Sequence, residues 1–406
     1  MLGTIDSSRL RDAATLACDW LVGVAQVQGR DLPSDTRDSM GHGYRDWRGA
    51  IRGEYSAATR QWGFFCPVWH TAQAAKSLIL AARRLGQPRF LAAAQRGIGF
   101  VLDKQIWDPA HADHGLILAY EDFADKVNTS AVMESLHGVM LAADEAGSGE
   151  GWARAEAAGD FLLRRLYLPE HGVFRDAYDP QAHAAVVPNP FRTRNDIGGR
   201  PLLEDGVFAK LYARTGRRDF LDAQIRVSEA LVAHQRPPGN WLDYGPCNAA
   251  KGSFHPRHTY WWGLPLLDTW RHTRRREFLD TAIAAGEFCR RAIRPDGGWI
   301  RGLYLDNRTD SFGHATSGSA CAAILWLALH RATGDGAWLE PAATALDYCM
   351  KVQFVRPADA NLRGAVLEKV LPPDGTDRSP YHLRDLGTIF FVTAATAWLA
   401  LAEEGP

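Results

Sequence analysis

The sequence predicts a single all-α domain spanning residues 1–406, an (α/α)6 toroid in which six helical hairpins close into a barrel. Three observations predict it. An apolar helical phrase recurs six times, an amphipathic helix precedes each recurrence, and the loops between them alternate between short and long.

The apolar phrase first appears near Trp69 as HTAQAAKSLILAARRLGQPRFL. It returns as NTSAVMESLHGVMLAADEAG from Asn128, EDGVFAKLYARTGRRDFL from Glu204 and HTYWWGLPLLDTWRHTRRREFL from His258. The last two copies are HATSGSACAAILWLALHRATGDGAWL from His314 and LRDLGTIFFVTAATAWLALAEEG from Leu383. Each is apolar nearly all round, which marks an inner helix packed on every side. The amphipathic helices open with the segment from about Ile5 to Gln26, and include RFLAAAQRGIGFVLDKQ, GWARAEAAGDFLLRRLY and EFLDTAIAAGEFCRRAI. Their apolar residues fall at i, i+3, i+4 and i+7, as an outer helix requires. A helical solenoid that binds a partner protein is the competing reading of such a repeat.

Inner-to-outer connections are short turns containing Gly. Outer-to-inner connections are long: residues 27–68, 105–127, 167–203, 236–257, 294–313 and 352–383. Long loops in a compact domain usually carry function. All six should rise on one end of the ring, around the N-termini of the inner helices, and enclose a crater. At least four of them should line its deepest cavity, together with Trp241, His258 and Asp205.

Composition sets the outer bounds. A net charge of −1 argues against non-specific binding to nucleic acid or membranes. The six cysteines form no C-x-x-C pair, and most fall in apolar helical patterns. No basic segment precedes an apolar one at the N-terminus, so no signal peptide is evident and the cytoplasm is the expected location. The apolar stretch Thr388–Ala402 reads as a buried helix rather than a membrane span. No cofactor or metal motif is evident, although loop acids can hold Ca2+ without one. QRPPGNW, from Gln235, fits a Q-x-x-x-G-x-W pattern known in terpene cyclases, but no acid-rich cyclase centre accompanies it. It reads as a helix end followed by a turn.

Three residue types concentrate on the crater side. Trp62, Trp69, Trp241, Trp261, Trp262 and Tyr260 offer flat faces on which pyranose rings stack; Trp69 and Trp262 read equally well as core. The acids include Glu121, Asp122, Asp125, Glu204, Asp205 and Asp385. The last two open inner helices, where a carboxylate either caps the helix or transfers protons. The basic groups Arg48, Arg52, Arg192, Arg301 and Arg384 suit an anionic substrate gripped through a carboxylate. His70, His255, His258 and His314 recur at inner-helix starts.

The hairpin count, the length, and the phrase RHTYWWGLPLLDTW followed by EFLDTAIAAGEFCRRAIRPDGGW resemble the six-hairpin glycosidases. The nearest are the unsaturated glucuronyl and rhamnogalacturonyl hydrolases. The resemblance implies acids at the starts of the second and third inner helices, one of which protonates and hydrates the double bond of an unsaturated uronic acid. Asp205 matches the third-helix position. Asn128 stands at the second, with Asp125 one turn earlier. Asp205→Asn is then expected to remove activity and leave the fold intact.

Three alternatives stay open. Toroid polysaccharide lyases use Asn, His, Tyr and Arg, for which Asn128, His258, Tyr260 and Arg301 are the candidates. Sugar epimerases of similar fold use His pairs. A non-catalytic sugar-binding toroid is the fourth reading. The expected partner is an oligosaccharide, anionic in character.

Overall fold

The computed structural model describes residues 5–29, 32–193, 195–299, 303–306, 308–309, 313–368 and 382–404. Among these, twelve α-helices alternate between two concentric rings. The inner ring is α2 (Pro67–Leu85), α4 (Thr129–Ala146), α6 (Val207–Thr215), α8 (Leu264–Thr273), α10 (Thr316–Thr333) and α12 (Leu386–Glu404). The outer ring is α1 (Ser7–Trp20), α3 (Pro88–Leu102), α5 (Gly149–Arg165), α7 (Arg218–Ala233), α9 (Arg276–Ala292) and α11 (Leu339–Lys351).

The ring closes. Each inner helix packs against the next, and α12 packs against both α10 and α2. Each outer helix lies over the groove between two consecutive inner ones; α1, the first, bridges α12 and α2. An open solenoid has no contact between its first and last repeats, so that reading falls. α12 is long and apolar enough to cross a membrane by composition, but it is mostly buried as an inner helix. The cysteines are all buried, form no disulfide among the described residues, and act as small core residues.

The outer ring is held by a contact that repeats six times. Every long loop carries one glycine at positive φ whose Cα presses on the outer helix of the next hairpin: Gly49, Gly115, Gly172, Gly239, Gly297 and Gly364. At Gly115 (φ +96) a Cβ would sit 2.1 Å from the Ala157 carbonyl oxygen, closer than any side chain tolerates. Four of the six contacts are reinforced by glutamine. Gln105 donates to Gly115 O at 3.0 Å and to Arg154 O, three residues before Ala157, at 2.8 Å. Gln26 spans Gly49 O and Ala93 O, and Gln353 spans Gly364 O and Ala13 O. Gln235 reaches Thr281 O at 2.8 Å, while Gly239 presses on Ala284 O. QRPPGNW is thus one instance of this stitch, and its Trp241 lies in the core with Nε1 donating to Leu231 O at 2.7 Å.

The long loops are braced by small antiparallel sheets. One joins Gly53–Ser56, Gln61–Phe64 and His382–Arg384, tying the first loop to the start of α12. Another joins Val127–Asn128, Ala177–Asp179 and Ala184–Val186.

The stitch predicts unequal costs for two glycines of similar backbone. Gly147 (φ +58) ends α4 with open space around it. Gly147→Ala should cost about 1 kcal/mol, and Gly115→Ala roughly 2–4 kcal/mol, because strain and overlap add. Denaturant melts of the two variants check this; equal losses would mean the loop–helix contact is slack.

Candidate active site

The N-terminal ends of the inner helices surround a cavity of about 330 Å³. Four of the six long loops line it, together with α2, α4 and the start of α12. Its aromatic wall is Phe65, Trp69, Phe191 and Trp261. Its charged residues are Glu121, Asp122, Glu134 and Glu204 against Arg192, Arg200, Arg257 and Arg384, with His255 stacked on Trp261 at 4.7 Å.

Two of the carboxyls are held neutral. Glu134 lies in the second turn of α4, and Glu204 in the turn that opens α6. Burial pushes each up to about 8, and for Glu204 the Glu134 charge adds to the rise. Arg257 pulls Glu134 down and Arg200 pulls Glu204 down, but burial wins in both. Asp122 is the opposite case. Its burial also favours the neutral form, yet Arg192, Asn189 and Arg200 hold it below the usual carboxylate range. Arg192 donates Nε to Asp122 at 3.0 Å and pairs through Nη2 with Glu121 at 2.8 Å.

The cavity walls also hold polar atoms without protein partners. These are Glu204 Oε2, Arg200 Nη2, Arg257 Nε and Nη1, and the indole nitrogens of Trp69 and Trp261. Buried polar groups in proteins are nearly always hydrogen-bonded. Arg200 is otherwise fixed, with Nε on Asp176 and Nη1 on Gly245 O. The Arg257 guanidinium lies 5.3 Å from the Trp261 ring centroid. A polar ligand entering here meets fixed donors, a neutral acid and a flat aromatic wall. Among the described residues, no group of three His, Cys, Asp or Glu side chains is arranged to hold a metal ion.

Several expected site residues stand elsewhere. Asp205 is the main correction. Asp205 and Gly206 both take left-handed backbone (φ 56 and 61), so the Asp205 side chain turns away from Glu204. It pairs with Lys76 at 2.9 Å and accepts from Gln73 Nε2 at 2.8 Å and from the Tyr260 hydroxyl at 2.5 Å. Burial opposes its charge, but Lys76, His137 and Tyr260 hold it well below the usual range. Asp205 therefore neither caps α6 nor faces the crater, and Tyr260 is committed to the same cluster, with Lys76 donating to its hydroxyl at 2.7 Å. Asn128 accepts from the backbone of Glu121 and Asp122 and donates to the Asp122 carboxylate at 2.7 Å, so it shapes the loop. Asp125 is exposed and paired with Lys126. His258 is fully buried, its Nδ1 bonded to His255 O at 2.7 Å, and burial pushes it down to about 4.

Trp241 and Trp262 are core residues in contact with each other. Trp62 and Arg52 pack together beside Gln28 and Asn361, lining a different cavity from the crater. Arg48 is exposed and occupied by Asp46. His314 contacts the Tyr348 hydroxyl on α11. His70 and Asp385 bond to each other at 2.7 Å, fully buried behind Trp69. Arg301 lies outside the described residues. Of the named candidates, Trp69 and Arg384 line the crater, as do Glu121, Asp122, Glu204, Arg192, His255 and Trp261 from the wider set. Glu134, Arg200 and Arg257 were not anticipated. The legible signal for Glu134 was a lone acid inside an otherwise apolar inner helix.

No protein-family model matches this sequence, and no curated relative matches it either. The fold has many solved counterparts. A D-mannose isomerase superposes with a TM-score of 0.65 at 12% identity, over 99% of both chains. An unsaturated glucuronyl hydrolase specific for heparin gives 0.68 at 14% identity, over 98% of this chain and 99% of that one. The cellobiose 2-epimerase from Spirochaeta thermophila DSM 6192 gives 0.65 at 13%, over 98% of both. The chain is thus a six-hairpin (α/α)6 toroid. Three different reactions are named among these structures, so the fold does not choose between them.

Two outcomes follow. Asp205→Asn leaves the buried Lys76 charge uncompensated and should cost roughly 3–5 kcal/mol. The Lys76→Met/Asp205→Asn double variant should recover part of that loss. Near-normal melting of Asp205→Asn would remove the structural role. The second outcome concerns pH. Glu134 and Glu204 keep their protons up to about 8 when folded, against an ordinary 4.5. Between these values the native state binds more protons than the unfolded chain, so stability should fall as pH rises from about 4.5 to about 8. Glu134→Gln and Glu204→Gln should flatten that slope in thermal melts across the range.

Proposed function

We propose that the protein is a carbohydrate-active enzyme, a glycoside hydrolase acting on a uronic-acid-containing oligosaccharide through Glu134 and Glu204. The observation that carries this reading is the pair of buried carboxyls, both raised to about 8, beside arginine donors that have no protein partner. Perturbed acids in a cleft favour catalysis over passive sugar binding.

The roles follow from the electrostatics. Neighbouring acids lose their protons in two steps, and after the first loss one is a base beside an acid. Glu204, with Oε2 bare, gives its proton to the substrate. Glu134 as carboxylate then takes a proton from the attacking water. Arg257 and Arg200 grip the uronate carboxylate, and Trp69 and Trp261 bound the sugar ring. The acids come from the second and third inner helices, as in the resemblance to unsaturated glucuronyl hydrolases, but from neighbouring positions. The lyase set gains no support, because Asn128, His258 and Tyr260 are not brought together. The epimerase or isomerase reading keeps one supporting observation, His255 in the cavity wall.

The test is a panel of unsaturated uronate oligosaccharides, saturated polysaccharides and reducing sugars. Falling ultraviolet absorbance on the unsaturated substrates is the expected result. Glu134→Gln and Glu204→Gln should each lose about 10²–10⁴ in turnover while remaining folded. Arg257→Ala should weaken a uronate substrate far more than its neutral counterpart. Rising absorbance on saturated polymer, or interconversion of reducing sugars with unsaturated substrates untouched, overturns the hydrolase reading.

A further inference from the structure

The toroid has a second axial cavity, on the side away from the crater. It measures about 320 Å³, and all six inner helices or the turns that open them contribute to it. Its ceiling is the Lys76–Asp205–Tyr260 cluster. None of the described residues lines both cavities. The cluster is therefore a partition between two separate chambers.

The chemistry of the second chamber differs from that of the crater. One wall is aliphatic: Leu80 of α2, Leu264 of α8, and Ile324 and Leu327 of α10. Leu80 and Leu264 are only partly buried, so apolar surface faces into the chamber. Around it stand Lys76, Lys210, Arg271 and Arg331 against the carboxylates Asp205 and Asp268. The C-terminal ends of the inner helices make this mouth electronegative, and the cations offset that field; Arg331 is paired with Glu404 at 2.9 Å, so Lys210 and Arg271 are the ones that face the chamber with donors to spare. Lys76 is saturated by Asp205 and Tyr260. Lys210 is not: it donates to Asp205 O and to Asp268 at 3.3 Å and keeps a third proton. Arg271 spends Nη1 on Asp268 at 2.6 Å and has donors left. His137, on α4, adds a second observation. Its Nδ1 is buried without a hydrogen-bond partner, 3.9 Å from Asp205. Burial, then Lys210, push this imidazole down to about 4, so it enters the chamber neutral and adds a polar contact without charge.

We infer that this chamber is a second ligand site, separate from the crater, for a small amphipathic anion: a monocarboxylate whose short aliphatic body lies against Leu80, Leu264 and Leu327 and whose carboxylate meets Lys210 and Arg271. Both halves of that ligand are needed. A neutral alkane leaves the cations unanswered, and an inorganic anion leaves the aliphatic wall wet. The inference is independent of the reaction in the crater, and its test reads binding rather than turnover.

The experiment is titration calorimetry of the full chain with hexanoate and with hexanamide, its neutral isostere. Hexanoate should bind with one-to-one stoichiometry, and hexanamide roughly ten- to hundredfold more weakly. Lys210→Met, a partly exposed position outside the partition, should weaken hexanoate by a similar factor. Leu327→Trp, which fills the chamber, should abolish binding; if that variant does not fold, Lys210→Met and the amide comparison decide alone. The crater variant Arg257→Ala should bind hexanoate as the parent does. Absence of hexanoate binding at millimolar concentration, equal binding of acid and amide, or loss in Arg257→Ala with retention in Lys210→Met each overturns the inference.

Discussion

The contact on which the architecture rests is the one between a loop glycine and the neighbouring outer helix. It occurs once per hairpin, and at three of its four glutamines, Gln26, Gln105 and Gln353, the side chain clamps the same two carbonyls in the same register. A ring of twelve helices has to fix the height of each outer helix against the next, or the hairpins slide. Apolar packing is non-directional and cannot set that height alone. Backbone contact without a Cβ, together with two directed hydrogen bonds, can. The same contact fixes where each long loop leaves its outer helix. All six loops then start at one level, and the crater follows from that.

Along its axis the ring is divided by charge. An inner helix buried on all sides has no low-energy place for an ion, so each ion there must be paired or neutralised. Both solutions occur on or at the start of inner helices. Lys76 and Asp205 pair, with Gln73 and Tyr260 completing the shell. Glu134 and Glu204 are neutralised instead, through raised pKa values. The paired group makes a rigid wall, and the neutralised group makes acids with protons to give. Gln73 joins the two, since its amide donates to both Asp205 and the carbonyl oxygen of Glu134 at 2.7 Å.

The ring was legible in the sequence because helix period and repeat length are local signals. The stitch was not. Gln and Gly are separated by 23, 10 and 11 residues in three of its instances, so no fixed motif aligns them. Only QRPPGNW is compact enough to be noticed, and in isolation it has no visible partner. The site was legible by side of the molecule but not by residue. Aromatics and charges were read as collecting on the crater side, yet Trp241 and Trp262 lie in the core and Trp62 lines a different cavity. A tryptophan near a crater fills core as readily as it stacks on sugar. The more informative signals were Lys76 and Glu134, single charges within apolar phrases. Burying an unpaired charge is expensive, so a lone ion in a wholly buried helix marks either a partner or a function. Here Lys76 marks a partner, Asp205, and Glu134 marks a neutral acid in the crater wall.

The sharpest division lies between two residues adjacent in the chain. Glu204 and Asp205 share a turn, and the sequence gives no reason to prefer the first. Asp205 takes φ 56 and Gly206 takes φ 61, which reverses the chain for two residues and sends the two side chains to opposite ends of the axis. Glycine bears such a backbone at no cost, whereas aspartate pays for it in strain. The Lys76 pair and two further hydrogen bonds to Asp205 offset that strain. Glu204 lies on the other side of the same reversal: it lines the crater near Arg200, and burial keeps its proton to about 8. One local backbone inversion thus converts two neighbouring carboxylates into different chemical species, a structural anion and a neutral acid in the crater wall. The conversion depends on Lys76, 129 residues away in sequence. That is why position in a motif pointed to Asp205, whereas Glu204 is the one of the two that lines the crater.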